Sequence, residues 1–242
     1  MSKRAVSPSQ FEKLLDALST DLIRSIHYRE LFLSVRSQIQ TCPDVFAQSN
    51  TFWWLTFSAL SDASLHCLCR VFDHHPQALS LPNLLHLISR NPNYFSIENF
   101  KERLRDNPFV DSLAKYPRTL SRAELDRDSL LVSKKDPLVD KLTQWRHNLY
   151  AHRSASSTLE DFRDMASVEL GWEEVKELSD RAFNIYNRYQ SLFKANTYSS
   201  QLVGADDFQN LLRIANSGLE AHRKNLANEI APHICKDPPA HA

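Results

Sequence analysis

Apolar residues recur three and four positions apart along most of the 242-residue chain, and this period is typical of amphipathic helices. Prolines and capping residues divide the pattern into segments. The segments predict one long helix that ends before Pro43, a second from about Asn50 to a point before Pro76, and a third that Ser80 begins. Further helices are predicted over residues 97–104, 121–125, 136–152 and 172–192, and from Asp206 to Pro232.

Two capping patterns mark helix starts in the second half of the chain. Ser121 and Glu124 have the spacing of a capping box, and Asp136-Pro137 combines a cap with a proline at the first helical position. In the second helix we expect the aromatic cluster Trp53, Trp54 and Phe57 in the core, not on a base-stacking surface. The last helix is expected to bury Phe208, Leu211, Leu212, Ala215, Leu219 and Leu226.

The fold class follows from this pattern and from the turn residues. The chain has only 3 glycines against 11 prolines, whereas an all-β protein of this size needs many glycines in its turns. There is no repeat and no clear linker. We therefore predict an all-α protein, a single antiparallel helical bundle in one domain over residues 1–242, with additional N- and C-terminal helices.

Composition limits the partners and the compartment. Lys+Arg and Asp+Glu both number 29, which excludes a large non-specific positive field for nucleic acid but leaves room for a small basic cleft. The four cysteines form no disulfide framework. We see neither a signal peptide nor the roughly 20 apolar residues of a membrane span. We predict a cytoplasmic protein with no membrane partner.

One segment, Arg146-His147-Asn148-Leu149-Tyr150-Ala151-His152, carries candidate chemistry. Histidine titrates near neutral pH and can take the proton of a ribose 2′-hydroxyl, while the arginine fork can hold a phosphate and stabilise developing charge. On an ideal helix Arg146 and His152 lie roughly 120° apart around the axis. A loosened last turn would bring His152 round toward Arg146.

The segment resembles a known signature. Residues 145–153 are similar to the Trp-Arg-x-x-x-x-Ala-His-Arg form of the AbiU type of abortive-infection HEPN domains, within the wider Arg-x(4–6)-His pattern of HEPN proteins. Residues 68–73 and 79–84 also resemble the end of that group's second helix and its following helix. The likeness runs from about residue 52 to residue 192, and we place a HEPN-like core at about residues 49–196.

The resemblance implies a metal-independent endoribonuclease that works as a homodimer and leaves a 2′,3′-cyclic phosphate. It implies RNA as the substrate, no cofactor and no metal, and an antitoxin or another defence-system protein as a partner. A tyrosine that is modified in some HEPN toxins is replaced by Ser154 here, so that form of control is not expected. The resemblance implies Arg146 and His152 as catalytic and His147 and Asn148 as supporting. We also predict Arg153 of the motif, and Lys134 and Lys135 just before the motif helix, as substrate-binding.

Two other interpretations stay open at this point. A non-catalytic HEPN-like module would dimerise or bind a nucleotide or a partner protein, with Arg146 and His152 in structural roles. A zinc hydrolase could be built on a cluster of potential ligands, because histidine and cysteine bind zinc; the cluster is His66, Cys67, Cys69, His74 and His75. Within that cluster Arg70 and Asp73 have the spacing of an intrahelical ion pair.

Overall fold

The structure is a computed structural model, and it describes residues 6–116, 119–147, 170–204 and 206–234. Three of the predicted site residues, Asn148, His152 and Arg153, lie outside the described residues. In the described part every regular element is helical, and the predicted all-α class is confirmed. No helix in these ranges combines the length and apolar character that a membrane crossing needs.

Ten α-helices and one 3₁₀-helix account for the described elements. They are α1 (Pro8–Ser37), α2 (Pro43–Ala47), α3 (Asn50–Val71), α4 (Leu81–Arg90), the 3₁₀-helix (Pro92–Phe95), α5 (Ile97–Arg103), α6 (Val110–Leu113), α7 (Arg122–Leu131), α8 (Pro137–Arg146), α9 (Trp172–Lys194) and α10 (Asp207–Ile234).

Most helix boundaries agree with the sequence, but several differ. Pro43 not only follows the first helix but begins α2, because proline is tolerated in a first helical turn. Helix α7 extends for 10 residues beyond its Ser121 cap, where about one turn was expected. Helix α10 continues through Pro232, which was expected to end it.

Contacts divide the chain into two compact units. The first consists of the described residues of Met1–His27 and Asp62–Gln201. Its core packs apolar side chains of α1 and α3 with those of α4, α7, α8 and α9. Two reciprocal hydrogen bonds fasten α1 to α3, because the hydroxyls of Ser25 and Ser64 each donate to the other's carbonyl, at 3.0 and 2.8 Å. The Tyr186 hydroxyl ties α9 to α1 by donating to the Leu15 carbonyl.

The second unit consists of the described residues of Tyr28–Ser61 and Leu202–Ala242. It has a small core in which Val35, Val45, Phe46 and Leu212 are buried. Because so few side chains form this core, it covers one face of each helix only. The expected burial is therefore wrong for Trp54, which is exposed. It is also wrong on α10, for Leu211, Ala215 and Leu226.

Helix caps explain how the site-bearing helix starts. Asp136 caps α8, since its Oδ1 accepts hydrogen bonds from the backbone N–H of Leu138 and Val139 at 3.0 and 3.1 Å. This confirms the predicted cap. Ser80 occupies the corresponding position before α4, but its buried hydroxyl makes no capping bond.

Candidate functional site

Helix α8 supplies one wall of a cleft in the first unit. Val139 and Leu142 are buried in the core, and their spacing leaves Thr143 and Arg146 one turn further along the cleft side. Arg146 is the last residue of the helix and His147 follows as its C-cap.

The opposite wall is the end of α3 and the loop that follows it. Phe72 is buried and anchors the loop start, and the Asp73 Oδ1 accepts a hydrogen bond from the His75 backbone N–H at 2.8 Å. From α4 the Asn83 amide donates to the carbonyls of His75 and Ala78, at 2.8 and 2.9 Å. These bonds fix the loop that carries two imidazoles to the cleft.

An ion pair joins the two walls. Arg146 Nη1 lies 3.0 Å from Asp73 Oδ2, and the two side chains are 41% and 19% exposed. Partial burial opposes the charge of Asp73, but the His75 N–H and the Arg146 guanidinium outweigh it and lower the pKa of Asp73 below its ordinary 3.8. Asp73 is thus a carboxylate that holds the guanidinium in place near neutral pH.

The cleft between the walls has a volume of about 390 Å³, which is within the range of about 300–1,000 Å³ that small-molecule sites occupy. Its lining is mixed polar and apolar and includes Lys134 from the turn before α8. The lining residues are Cys69, Phe72, Asp73, His74, His75, Lys134, Leu142, Thr143, Arg146 and His147.

The turn that carries Lys134 is itself held in place. Arg181 of α9 donates to the Leu131 carbonyl at 3.0 Å and pairs with Asp136 Oδ2 at 2.8 Å. These two partners flank Lys134 in the chain. Asp136 therefore both caps α8 and, through Arg181, fixes the turn that carries Lys134.

Two further groups in the cleft are kept neutral. Burial is the main cause that lowers the pKa of His74 below 6.5, and the charge of Lys134 lowers it further against the opposing effect of Asp73. Burial raises the pKa of Cys69 to about 12, although the Arg146 charge acts in the other direction. Cys69 is consequently a thiol at neutral pH and not a nucleophile.

The structure brings together some of the predicted residues and separates others. Arg146, His147 and Lys134 line one cleft, whereas Lys135 is exposed and is not part of its lining. The pairing of Asp73 with Arg146 was not predicted from the sequence. The helical spacing assigned Asp73 to an ion pair with Arg70, but Arg70 instead binds Asp21 of α1.

The end of α3 explains why Asp73 does not pair with Arg70, and it also bears on the zinc hypothesis. Helix α3 ends at Val71, so Asp73 and His74 do not continue the helical face on which Arg70 lies. The His66 ring instead bonds the Asp62 carbonyl on α3, and Cys67 contacts Arg70. Across the residues that the structure describes, no three His, Cys, Asp or Glu side chains are grouped so as to hold a metal ion.

A comparison with models of protein families finds one family that matches most of the chain. The model of the HEPN family AbiU2 matches residues 8–214, which is well over half of the chain. The chain belongs to the AbiU2 family of HEPN proteins. This AbiU2 protein is therefore a HEPN module of the abortive-infection type, and the match extends beyond the core expected at residues 49–196. Comparisons with curated proteins and with solved structures find no match.

Proposed function

We propose that this AbiU2 protein is a metal-independent endoribonuclease of the phage-defence or toxin type. It acts in the cytoplasm as a homodimer whose two copies line a shared cleft. Arg146 and His152 are its catalytic residues, with His147 and Asn148 in supporting roles and Lys134 and Arg153 as the predicted contacts to RNA. Lys135 was also predicted as a contact, but it lies outside the cleft lining and is not assigned one. An antitoxin or another defence-system protein controls it.

The observation that carries the proposal is the position of Arg146. Its guanidinium is partly exposed on an open cleft and is oriented by a carboxylate. A guanidinium fork has five N–H donors, so Asp73 and a phosphate can be held at the same time. Lys134 and His147 add two basic groups to the same lining, which suits an anionic substrate despite the balanced charge of the whole chain.

The proposed reaction is an internal transesterification of RNA. One histidine takes the proton of the 2′-hydroxyl, and the 2′-oxygen forms a bond to phosphorus while the bond from phosphorus to the 5′-oxygen breaks. A second histidine, from the other copy, protonates the leaving 5′-oxygen. The product ends are a 2′,3′-cyclic phosphate and a 5′-hydroxyl. Arg146 stabilises the charge that builds on the phosphate oxygens.

An RNA-cleavage assay with end-group analysis tests the proposal. Wild type should leave cyclic phosphate ends in the presence of EDTA, while Arg146→Ala and His152→Ala should each lower the rate by about a hundredfold or more. Arg70→Ala is the matched control, because Arg70 is also paired with an aspartate but does not line the cleft. Absence of cleavage by folded wild type, or full activity in both variants, would contradict the proposal.

The shared cleft has a separate test. Mixing wild type with an excess of His152→Ala chains should lower activity more than simple dilution does, because most wild-type chains then have an inactive partner. A monomer with full activity would contradict this part of the proposal.

One observation supports the second candidate, a non-catalytic module. The Arg146–Asp73 pair joins α8 to the loop after α3, and such a contact can be purely structural. In that case Arg146→Ala lowers the melting temperature or weakens self-association, and no RNA is cut by any variant.

A further inference from the structure

The charge balance within the cleft assigns a specific task to Lys134. Asp73 lies against Arg146 and largely cancels its charge toward an incoming anion. Among the described lining residues, Asp73 is the only carboxylate, and the cations are Arg146 and Lys134. The net positive charge that these described residues give the cleft at neutral pH therefore depends on Lys134.

Lys134 is also placed to act inside the cleft. It is exposed, and among the described residues it has no carboxylate within ion-pair distance, whereas Lys141 and Lys194 are both paired. Its charge is close enough to His74 to lower the pKa of that imidazole. The Arg181 network keeps its turn fixed, so ligand binding has to order the Lys134 side chain but not its backbone.

We propose that Lys134, together with the exposed imidazoles of His75 and His147, forms a phosphate subsite beside Arg146, and that this subsite holds a phosphate that is not the one being cleaved. The inference deepens the proposed function, and it rests on that function in one respect, that the phosphate belongs to RNA. The same chemistry would also accept the phosphate of a free nucleotide. Phosphate contacts of this kind position a nucleic acid without reading its sequence.

Binding can be measured apart from cleavage. A short 2′-O-methyl oligonucleotide cannot be cut, because it has no free 2′-hydroxyl to attack phosphorus. Its affinity for the full chain is measured by fluorescence anisotropy at several salt concentrations, and 5′-AMP is added as a competitor in a second arm. The variants are Lys134→Ala, Lys134→Arg and, as a neighbour outside the cleft lining, Lys135→Ala.

We expect Lys134→Ala to weaken binding about fivefold and to reduce the slope of log affinity against log salt by about 0.7, the value for one single-strand phosphate contact. Lys134→Arg should restore both, and Lys135→Ala should have a clearly smaller effect. Competition by 5′-AMP that depends on Lys134 identifies a free nucleotide as the source of the phosphate, and its absence identifies the RNA backbone.

Equal effects of Lys134→Ala and Lys135→Ala, or no binding of either probe by wild type, would overturn the subsite. The two proposals fail separately. If binding depends on Lys134 but wild type cuts no RNA, the ribonuclease proposal fails and the subsite proposal stands. If wild type cuts RNA but Lys134→Ala and Lys135→Ala bind the probe equally well, the subsite proposal fails and the ribonuclease proposal stands.

Discussion

Asp73 binds two groups at once, Arg146 on α8 and the backbone of its own loop. Its Oδ2 lies 3.0 Å from Arg146 Nη1, while its Oδ1 accepts the His75 N–H at 2.8 Å. The second bond fixes the direction of the first. Asp73 is thus a positioning residue: it orients the guanidinium that the proposed reaction uses, and it also reduces the charge that a substrate meets.

These two effects predict that kcat and KM both decrease in Asp73→Ala, each for a different reason. Loss of orientation should lower kcat about tenfold to a hundredfold, because small displacements of a reacting group are costly. Loss of the negative charge should lower KM, because Arg146 then attracts the phosphate more strongly. Steady-state RNA cleavage on wild type and variant measures both constants.

Asp21→Ala is the matched control for this prediction. Asp21 also binds an arginine, Arg70, and the Asp21 and Asp73 side chains are both 19% exposed, but Asp21 does not line the cleft. We expect Asp21→Ala to leave both kcat and KM as in wild type. If Asp73 has only a structural role, the amount of active protein falls and KM does not change.

The lowered pKa of His74 predicts that the protein loses stability on mild acidification. Burial and the nearby Lys134 lower the pKa of this histidine in the folded state below 6.5. Above pH 6.5 both states are neutral and His74 contributes nothing. As the pH falls through 6.5, the unfolded chain takes up a proton and the folded chain does not, so the free energy of unfolding decreases until the lower folded pKa is reached.

His74→Gln should therefore lose less stability than wild type between pH 7.5 and pH 5, values that span the window of about one unit on either side of an ordinary histidine pKa of about 6.5. Urea unfolding at several pH values gives the difference. His86→Gln, a change at an exposed position on α4, is the control. A wild-type curve parallel to that of His74→Gln would show that His74 takes up its proton equally in both states.

The helix boundaries were predictable where local chemistry sets them. The Asp136 cap, the Pro137 start and the Ser121 cap act within three residues of their own position, and sequence shows such signals directly. Burial on α3 was less predictable. Its first half has aromatic residues around most of its circumference, and only the tertiary partners decide which of them, such as Trp53 against Phe46, are covered.

The site was predictable in part for a related reason. Arg146 and His147 belong to a contiguous motif, and Lys134 lies just before the same helix, so sequence proximity identified all three. Asp73 is distant in sequence, and its pairing depends on the end of α3 at Val71, which no proline or glycine marks. The hydrogen bond from Arg181 to Leu131 and its ion pair with Asp136 likewise depend on the packing of α9 against the turn that carries Lys134.

Asp128 is expected to be a major contributor to the stability of the first unit. It is 1% exposed and accepts hydrogen bonds from Arg188 and from the Tyr189 hydroxyl. The bond from Arg188 raises the pKa of Arg188, while burial, with the charge of Asp128 in second place, raises the pKa of Tyr189. Asp128→Ala leaves both donors without their acceptor, and we expect a loss of about 3 kcal/mol in the free energy of unfolding.

Asp126→Ala provides the comparison on the same helix. Asp126 pairs with Arg122 at 3.1 Å, but both side chains are mostly exposed, so the loss should be about 0.5 kcal/mol or less. Urea unfolding of the two variants gives the two values. Equal losses would mean that the Asp128 network adds no more than a surface ion pair.

The neighbouring tryptophans of α3 give the sharpest test of the second unit. Trp53 packs on Phe46 of α2 with ring centroids 4.4 Å apart, whereas the Trp54 side chain is 67% exposed. Trp53→Ala removes a large contact from a small core, and we expect it to cost about 2 kcal/mol, less than the 3–5 kcal/mol of a fully buried tryptophan. Trp54→Ala should change stability by about 0.5 kcal/mol or less.

Hydrogen exchange shows where in the second unit the tryptophan substitutions act, in addition to how large their effect is. Because α2 has only five residues, Pro43–Ala47, it is too short to be stable alone, and its amides should lose protection in Trp53→Ala. In Trp54→Ala they should exchange as in wild type. Loss of protection in Trp54→Ala, or unchanged exchange of α2 in Trp53→Ala, would contradict the packing of Trp53 on Phe46, since α2 would then be held by other contacts.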